Sequence, residues 1–238
     1  MTNRKYTNIS TNDVEARNLV DEIASAGLDV QRYREVMIAM GRKLAQQIVL
    51  SIPSSDHNDI CVVCTVEDAD FLAQGVVDVL TDSGMGPRVK LLCLWNEKVR
   101  NEGISLSPVI RQYKEESTTS KVDYIIVKSI ISGACVVKTN LTRALSMHDY
   151  GSIFVASPVM LEGADGRLAR EFPPEVANQF KYFSLATDSE KSGEDVLPGI
   201  GGSVYERLGL GDEDTKNKIL PSIVKTRRER FRRSVVTA

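Results

Sequence analysis

Histidine, cysteine and long apolar runs are all scarce in this chain of 238 residues, and each scarcity closes a class of function. Two histidines, His57 and His148, stand beside four cysteines, which leaves no zinc quartet and no metal site in view. No apolar run approaches the roughly 20 residues that a membrane span needs, because charges interrupt the longest candidates. With 30 Lys and Arg against 32 Asp and Glu, the net charge of −2 supplies no global basic field for nucleic acid. There is no GxxxxGK[ST] phosphate loop, no Ser/His/Asp pattern and no internal repeat. The amino-terminal MTNRKYTNISTND is polar and carries no hydrophobic signal core. A cytoplasmic protein without a membrane segment is expected.

What is present is ordinary globular material. The chain is 42% apolar and 26% charged, which suits one substantial domain plus elaborations. Cys61 and Cys64 form a CxxC, but within the apolar run ICVVC. An offset of three points the two thiols to opposite faces of a strand. With Cys93 and Cys135 they read as reduced thiols in a core rather than a disulfide frame.

Periodicity predicts helices over 13–29 and 31–50, the second with Tyr33, Val36, Met37, Met40, Leu44 and Ile48 on one face. A strand is predicted at 59–65, a helix at 71–80 and a strand at 89–95. Residues 96–120 read as a long polar loop. The alternation resumes with strand 122–127, helix 135–148, strand 152–156, an irregular helix near 161–170 and strand 181–186. Apolar strands alternating with helices indicate an α/β fold, a mainly parallel sheet flanked by helices. Ligands of such sheets bind at the carboxyl ends of the strands, so loops starting near Val66, Asn96, Lys128, Ser157 and Thr187 are expected around one site.

The segment VDYIIVKSIISGAC, 122–135, carries the most chemical information. A buried strand runs into Ser132, Gly133, Ala134 and Cys135, which open a helix. Free backbone N–H groups and the helix dipole at such a junction can hold a phosphate. Small residues are equally what a tight turn without ligand needs.

Five segments in order, LDVQRYREVMIAMGRKLAQQI, LWNEKVRNEGISLSPVIRQY, SIFVASP, KYFSLATD and LPGIGGSVYERLG, together with the 122–135 turn, resemble uracil phosphoribosyltransferase. The resemblance runs from about Leu28 to Gly209 and implies a type I phosphoribosyltransferase-like fold. It further implies a homo-oligomer, a phosphate seat at Ser132–Cys135 and a uracil-type base against Pro198, Gly199, Ile200 and Gly201. Mg2+ is implied only if phosphoribosyl pyrophosphate is used. The chain divides on this reading into a domain over 1–209, with helices 13–50 and a core over 59–209, and an extension over 210–238.

The departures from the family fall on its chemistry. Glu67 and Asp68 stand where the pyrophosphate loop has an arginine, and Val127 and Lys128 stand where the ribose-binding acids belong. Gly202 replaces an Asp of the base-binding segment. Unit charges about 4 Å apart interact by roughly 1–4 kcal/mol between water-like and surface-like dielectric, so reversing a charge beside a pyrophosphate opposes binding strongly. The expected function is a divergent member that binds a uracil-type base or nucleotide, with catalysis lost or altered and a regulatory role. The alternatives are an active transferase, or other glycosidic-bond enzyme, with an altered site, and a nucleic-acid-associated protein acting through its tail.

Glu67 and Lys128 follow neighbouring strands and are expected either to form an ion pair or to lie solvated on loops. Asp188 reads as a cleft residue, a helix cap or an exposed carboxylate. Tyr205 reads as a base-stacking or a core aromatic, and His148 as a helix-end residue. The tail carries six cations between Lys225 and Arg233 against the single acid Glu229, which fits an anionic partner, nucleic acid or acidic protein, or a solvated helix.

Overall fold

A computed structural model describes residues 3–236 apart from 54, 98, 102, 103 and 194; the side chains of 100, 101, 104, 105, 213, 214 and 234–236 are not described. The segment 94–113 that helps to carry the resemblance therefore falls partly outside the described residues.

The chain opens with a short strand β1 (Arg4–Tyr6) and helices α1 (Asn8–Asn12), α2 (Val14–Ile23) and α3 (Val30–Ser51). Then come β2 (Asp59–Thr65), the single turn α4 (Val66–Ala69), α5 (Leu72–Leu80) and β3 (Val89–Asn96). A hairpin of β4 (Val99–Asn101) and β5 (Ile104–Leu106) leads to β6 (Val109–Lys114). β7 (Lys121–Val127), the two-residue β8 (Ile130–Ile131), α6 (Cys135–Leu145) and β9 (Asp149–Leu161) follow. After α7 (Ala164–Ala169), α8 (Pro174–Ala177) and β10 (Phe180–Asp188) comes the hairpin of β11 (Glu190–Ser192) and β12 (Asp195–Leu197). Helices α9 (Val204–Arg207), α10 (Glu213–Lys216) and α11 (Ser222–Val236) close the chain.

The main sheet has the order β1-β10-β9-β7-β2-β3-β6, with β8 added beside β9. Its five inner strands are mutually parallel, while β1 and β6 are antiparallel edges. The mainly parallel α/β class is thus present, helices covering both faces. Successive residues of the inner strands divide between two cores. Val62, Cys64, Ile125 and Val127 pack toward α2, α3 and α5, and Cys61, Val63, Tyr124 and Ile126 pack toward α6 and α7. Cys61 and Cys64 do lie on opposite faces, and burial pushes the Cys61 thiol up to about 12. A buried thiol held protonated is a packing group.

Local signals explain the helix ends. Asp29 starts α3 by accepting the Arg32 N–H at 2.8 Å, and Pro53 lies just beyond its last residue. Asp13 caps α2 in the same way, accepting from Ala16 at 3.0 Å. α2 stops at Ile23 rather than running to 29, because its apolar stripe of Ala16, Leu19, Val20 and Ile23 ends there. Helix α6 likewise ends at Leu145, three residues short of the sequence expectation.

Two sequence expectations are corrected outright. Residues 96–120 are not one loop, since β6 pairs with β3 from Lys114 to Val109 and a hairpin precedes it. An edge strand needs one apolar face at most, and its ladder comes from backbone groups, so the polar VIRQYK gave no apolar signature. Ser157 and Thr187 do not open loops. β9 and β10 run on to Leu161 and Asp188, paired with each other along that length.

Helices α3 and α5 cross at two glycines. A Cβ on Gly41 would stand 2.1 Å from the Leu72 carbonyl oxygen, and one on Gly75 would stand 2.1 Å from that of Ile38. Neither backbone can yield without separating the helices. Gly75→Ala is expected to cost about 2–3 kcal/mol through forced backbone shifts, read as a lower urea midpoint with unchanged slope.

Candidate functional site

The connection after β2 leads to β3 on one side, while the connection after β7 leads to β9 on the other. The order reverses between β2 and β7, and their carboxyl ends open a crevice at this switch point. Two of the altered positions meet there. Glu67 and Asp68 sit in α4 directly after β2, and Lys128 follows β7.

The Lys128 ammonium donates to Glu67 Oε1 at 3.2 Å and to Asp68 Oδ2 at 2.9 Å. The pair expected between Glu67 and Lys128 is present, and Asp68 completes it. These are not solvated groups. Glu67 is 3% and Asp68 0% exposed, and only 12% of the Lys128 side chain reaches solvent. Asp68 also accepts from the Thr65 hydroxyl at 2.8 Å and from the Ser129 backbone N–H at 3.2 Å. Tyr205 donates to Glu67 at 3.4 Å, and the buried Lys216 ammonium donates to the Tyr205 hydroxyl at 2.7 Å. Two cations and two carboxylates are thus linked in one buried cluster.

Its electrostatics are internally consistent. Burial works to raise the Glu67 pKa, but Lys128 and Lys216 outweigh it and hold the carboxyl below its ordinary value. Burial likewise works to lower the Lys128 pKa, and Asp68 and Glu67 override it, so the ammonium is held firmly protonated.

Above the cluster lies a cleft of about 540 Å3. Lys128, Ile130 and the turn Ser132, Gly133, Ala134 and Cys135 line one wall, and Ile200, Gly202, Ser203, Val204 and Tyr205 line the other. The cap of α6 is Ala134, whose side chain makes no capping hydrogen bond. A Cβ on Gly133 would meet nothing within 4 Å, so the turn faces open space. Such a turn can seat an anion on backbone donors. Asp195, Glu206 and Asp212 against Lys191 make the remaining rim acidic.

The proposed base segment is only partly in the cleft. Gly199 donates its N–H to Asp188 Oδ2 at 2.8 Å and gives its carbonyl to Arg4 at 2.5 Å. Gly201 lies against the backbone of α2, where an added Cβ would stand 2.6 Å from the Ile23 carbonyl oxygen. Pro198, Gly199 and Gly201 are not among the cleft-lining residues, whereas Ile200 is. Val127 packs in a core and not toward the cleft, since its β7 side chain points away from the crevice side taken by Lys128. Asp188 is neither exposed nor a cleft residue. It is 0% exposed and paired with Arg4 at 2.7 Å.

Lys216 was missed because it lies in a polar stretch with no motif, far along the chain from Glu67. Tyr205 was visible as an aromatic, but its hydroxyl's place in an ion cluster had no local signal. An ammonium fills the expected acid position, and among the described residues no three His, Cys, Asp or Glu side chains converge. No helix among them is long and apolar enough to cross a membrane.

No protein-family model matches this chain, and no curated protein does. Among solved structures, the AQ2163 protein from Aquifex aeolicus matches with a TM-score of 0.65 at 14% identity, covering 82% of this chain and 94% of that one. That likeness is one of fold. Phosphoribosyltransferases are also among the matches. The L. donovani hypoxanthine-guanine enzyme covers 74% of this chain and 91% of its own at 13% identity and a TM-score of 0.44. An adenine phosphoribosyltransferase covers 62% and 80% at 13% identity and 0.38. These two superpose too loosely to carry an argument about chemistry.

Lys128→Met is expected to destabilise the protein by about 3–5 kcal/mol, because it strands two buried carboxylates. Adding Glu67→Gln and Asp68→Asn should restore most of that loss in chemical denaturation. Glu67 also fixes a pH dependence. Its folded pKa lies below the ordinary 4.5, so its contribution is present above that pH and lost as pH falls through the folded value. Glu67→Gln should therefore flatten the acid fall of the melting temperature.

Proposed function

We propose that this protein is a phosphoribosyltransferase-like binder of a nucleotide or uracil-type base, with the pyrophosphate reaction lost or altered. The observation that carries the reading is the Lys128 ammonium, fixed between Glu67 and Asp68 at 3.2 and 2.9 Å beneath an open phosphate-type turn. A pyrophosphate would find no free cation there, because the Lys128 ammonium at the cleft floor is already engaged by two buried carboxylates. A monophosphate at Ser132–Cys135 meets backbone donors instead. The base then lies toward Ile200 and Tyr205, with Pro198, Gly199 and Gly201 holding that segment in place. The same reading takes 1–209 as one domain with 210–238 as an extension, and takes the protein as a cytoplasmic homo-oligomer with a regulatory role.

Thermal-shift titration tests this directly. UMP should raise the melting temperature, reaching about 2.7 kcal/mol of stabilisation at a hundred times its dissociation constant. Gly133→Asp, placed in open space, should abolish that response without lowering the melting temperature of the free protein. Strong stabilisation by phosphoribosyl pyrophosphate with Mg2+, followed by uracil-dependent turnover, would overturn the proposal in favour of an active transferase.

A further inference from the structure

A second concavity lies along the β6 edge of the sheet, at the amino end of β3. Helix α11 begins in the core, with Val224 0% and Ile223 6% exposed. Its amino end is fixed by Asp70, which accepts the Ser222 and Ile223 N–H groups at 2.8 Å each. Arg227 then pairs with Glu115 at 2.6 Å and contacts the Val89 carbonyl at 3.4 Å. Val224, Arg227 and Phe231 share one helical face by their three- and four-residue spacing. Yet Phe231 is 69% exposed. The stripe that packs α11 on the domain therefore continues to Phe231, over the edge of the sheet formed by β3 and β6.

Beneath that overhang is a groove of about 930 Å3 along β6 and the start of β3. Val89, Tyr113 and Phe231 give it apolar walls. Lys90, Lys114, Arg227, Arg228, Arg230 and Arg232 border it; Lys90 pairs with Asp59, Lys114 with Glu116 and Arg227 with Glu115, so its cationic excess lies on Arg228, Arg230 and Arg232. This is a strongly cationic site on a chain whose net charge is −2. Arg228, Arg230 and Arg232 are all exposed.

We propose that this groove docks an acidic peptide segment of a partner protein, with one apolar side chain inserted between Val89, Tyr113 and Phe231. Charge complementarity sets the sign of the partner, and the apolar walls set its anchor. A nucleic-acid strand fits less well. Glu115 and Glu116 interrupt the cationic track that phosphates require. Carboxylates spaced along a peptide can meet separate arginines on either side of those acids, as bidentate pairs. The site is independent of the nucleotide reading of the cleft.

Fluorescence anisotropy on the full chain tests it, with a labelled glutamate-rich peptide carrying a central Leu-Phe. The controls are the same peptide with Ala-Ala at its centre and a single-stranded RNA of equal length. The anchored peptide should bind, and Phe231→Ala should weaken it roughly tenfold or more, as loss of a buried aromatic anchor does. Arg230→Glu with Arg232→Glu should weaken it comparably and reduce its salt dependence. Both variants alter exposed side chains, so UMP should shift their melting temperatures as it shifts the parent's. Absent peptide binding, equal binding of the Ala-Ala peptide, or tighter binding of RNA would each overturn the proposal.

Discussion

The ammonium of Lys128 between two buried carboxylates is the constraint around which the switch-point crevice is organised. Buried charges are tolerated only when paired and hydrogen-bonded. Here Thr65, Ser129, Tyr205 and Lys216 supply the remaining partners. The cluster ties the end of β2 to the end of β7 and reaches to α9 and α10. It thereby closes the floor of the cleft while leaving the α6 turn open above it. Charges that lie far apart in sequence are, in three dimensions, one buried and mutually paired group.

The opposite wall is held by a different logic. Few side chains of 198–208 fix its position; backbone carbonyls do. Tyr33 donates to the Ile200 carbonyl at 2.9 Å, Arg34 to that of Leu208 at 2.7 Å, and Arg4 to that of Gly199. Arg207 returns the contact to the carbonyls of Ser25 and Ala26. The amino-terminal helices, which lie far from the cleft in sequence, thus serve as its clamp. An irregular segment buried this closely needs its polar backbone satisfied, and long-reaching arginines and one tyrosine do so.

The inner strands were legible because each is buried on both faces, and a short apolar run bounded by turns is a local property. β2 over 59–65 and β7 over 121–127 illustrate this. The edge strand β6 and the full length of β9 were not legible. Their pairing uses backbone groups common to every residue, and the partner strand decides where pairing stops. The Glu67–Lys128 pair could be anticipated because both residues leave neighbouring parallel strands at the same end of the sheet. The burial of that pair, and Asp68's part in it, could not.

Sequence alone determined the alternating α/β layout, the small-residue turn at Ser132–Cys135 and the placing of Glu67, Asp68 and Lys128 just after two apolar strands. Each is a matter of residue type and nearby spacing. Tertiary structure decided that Tyr205 and Lys216 join those charges, that Pro198, Gly199 and Gly201 support the wall and do not line the cleft, and that Phe231 overhangs a cationic groove. These outcomes depend on which distant segments are packed together and on the solvent they exclude. No local pattern encodes either.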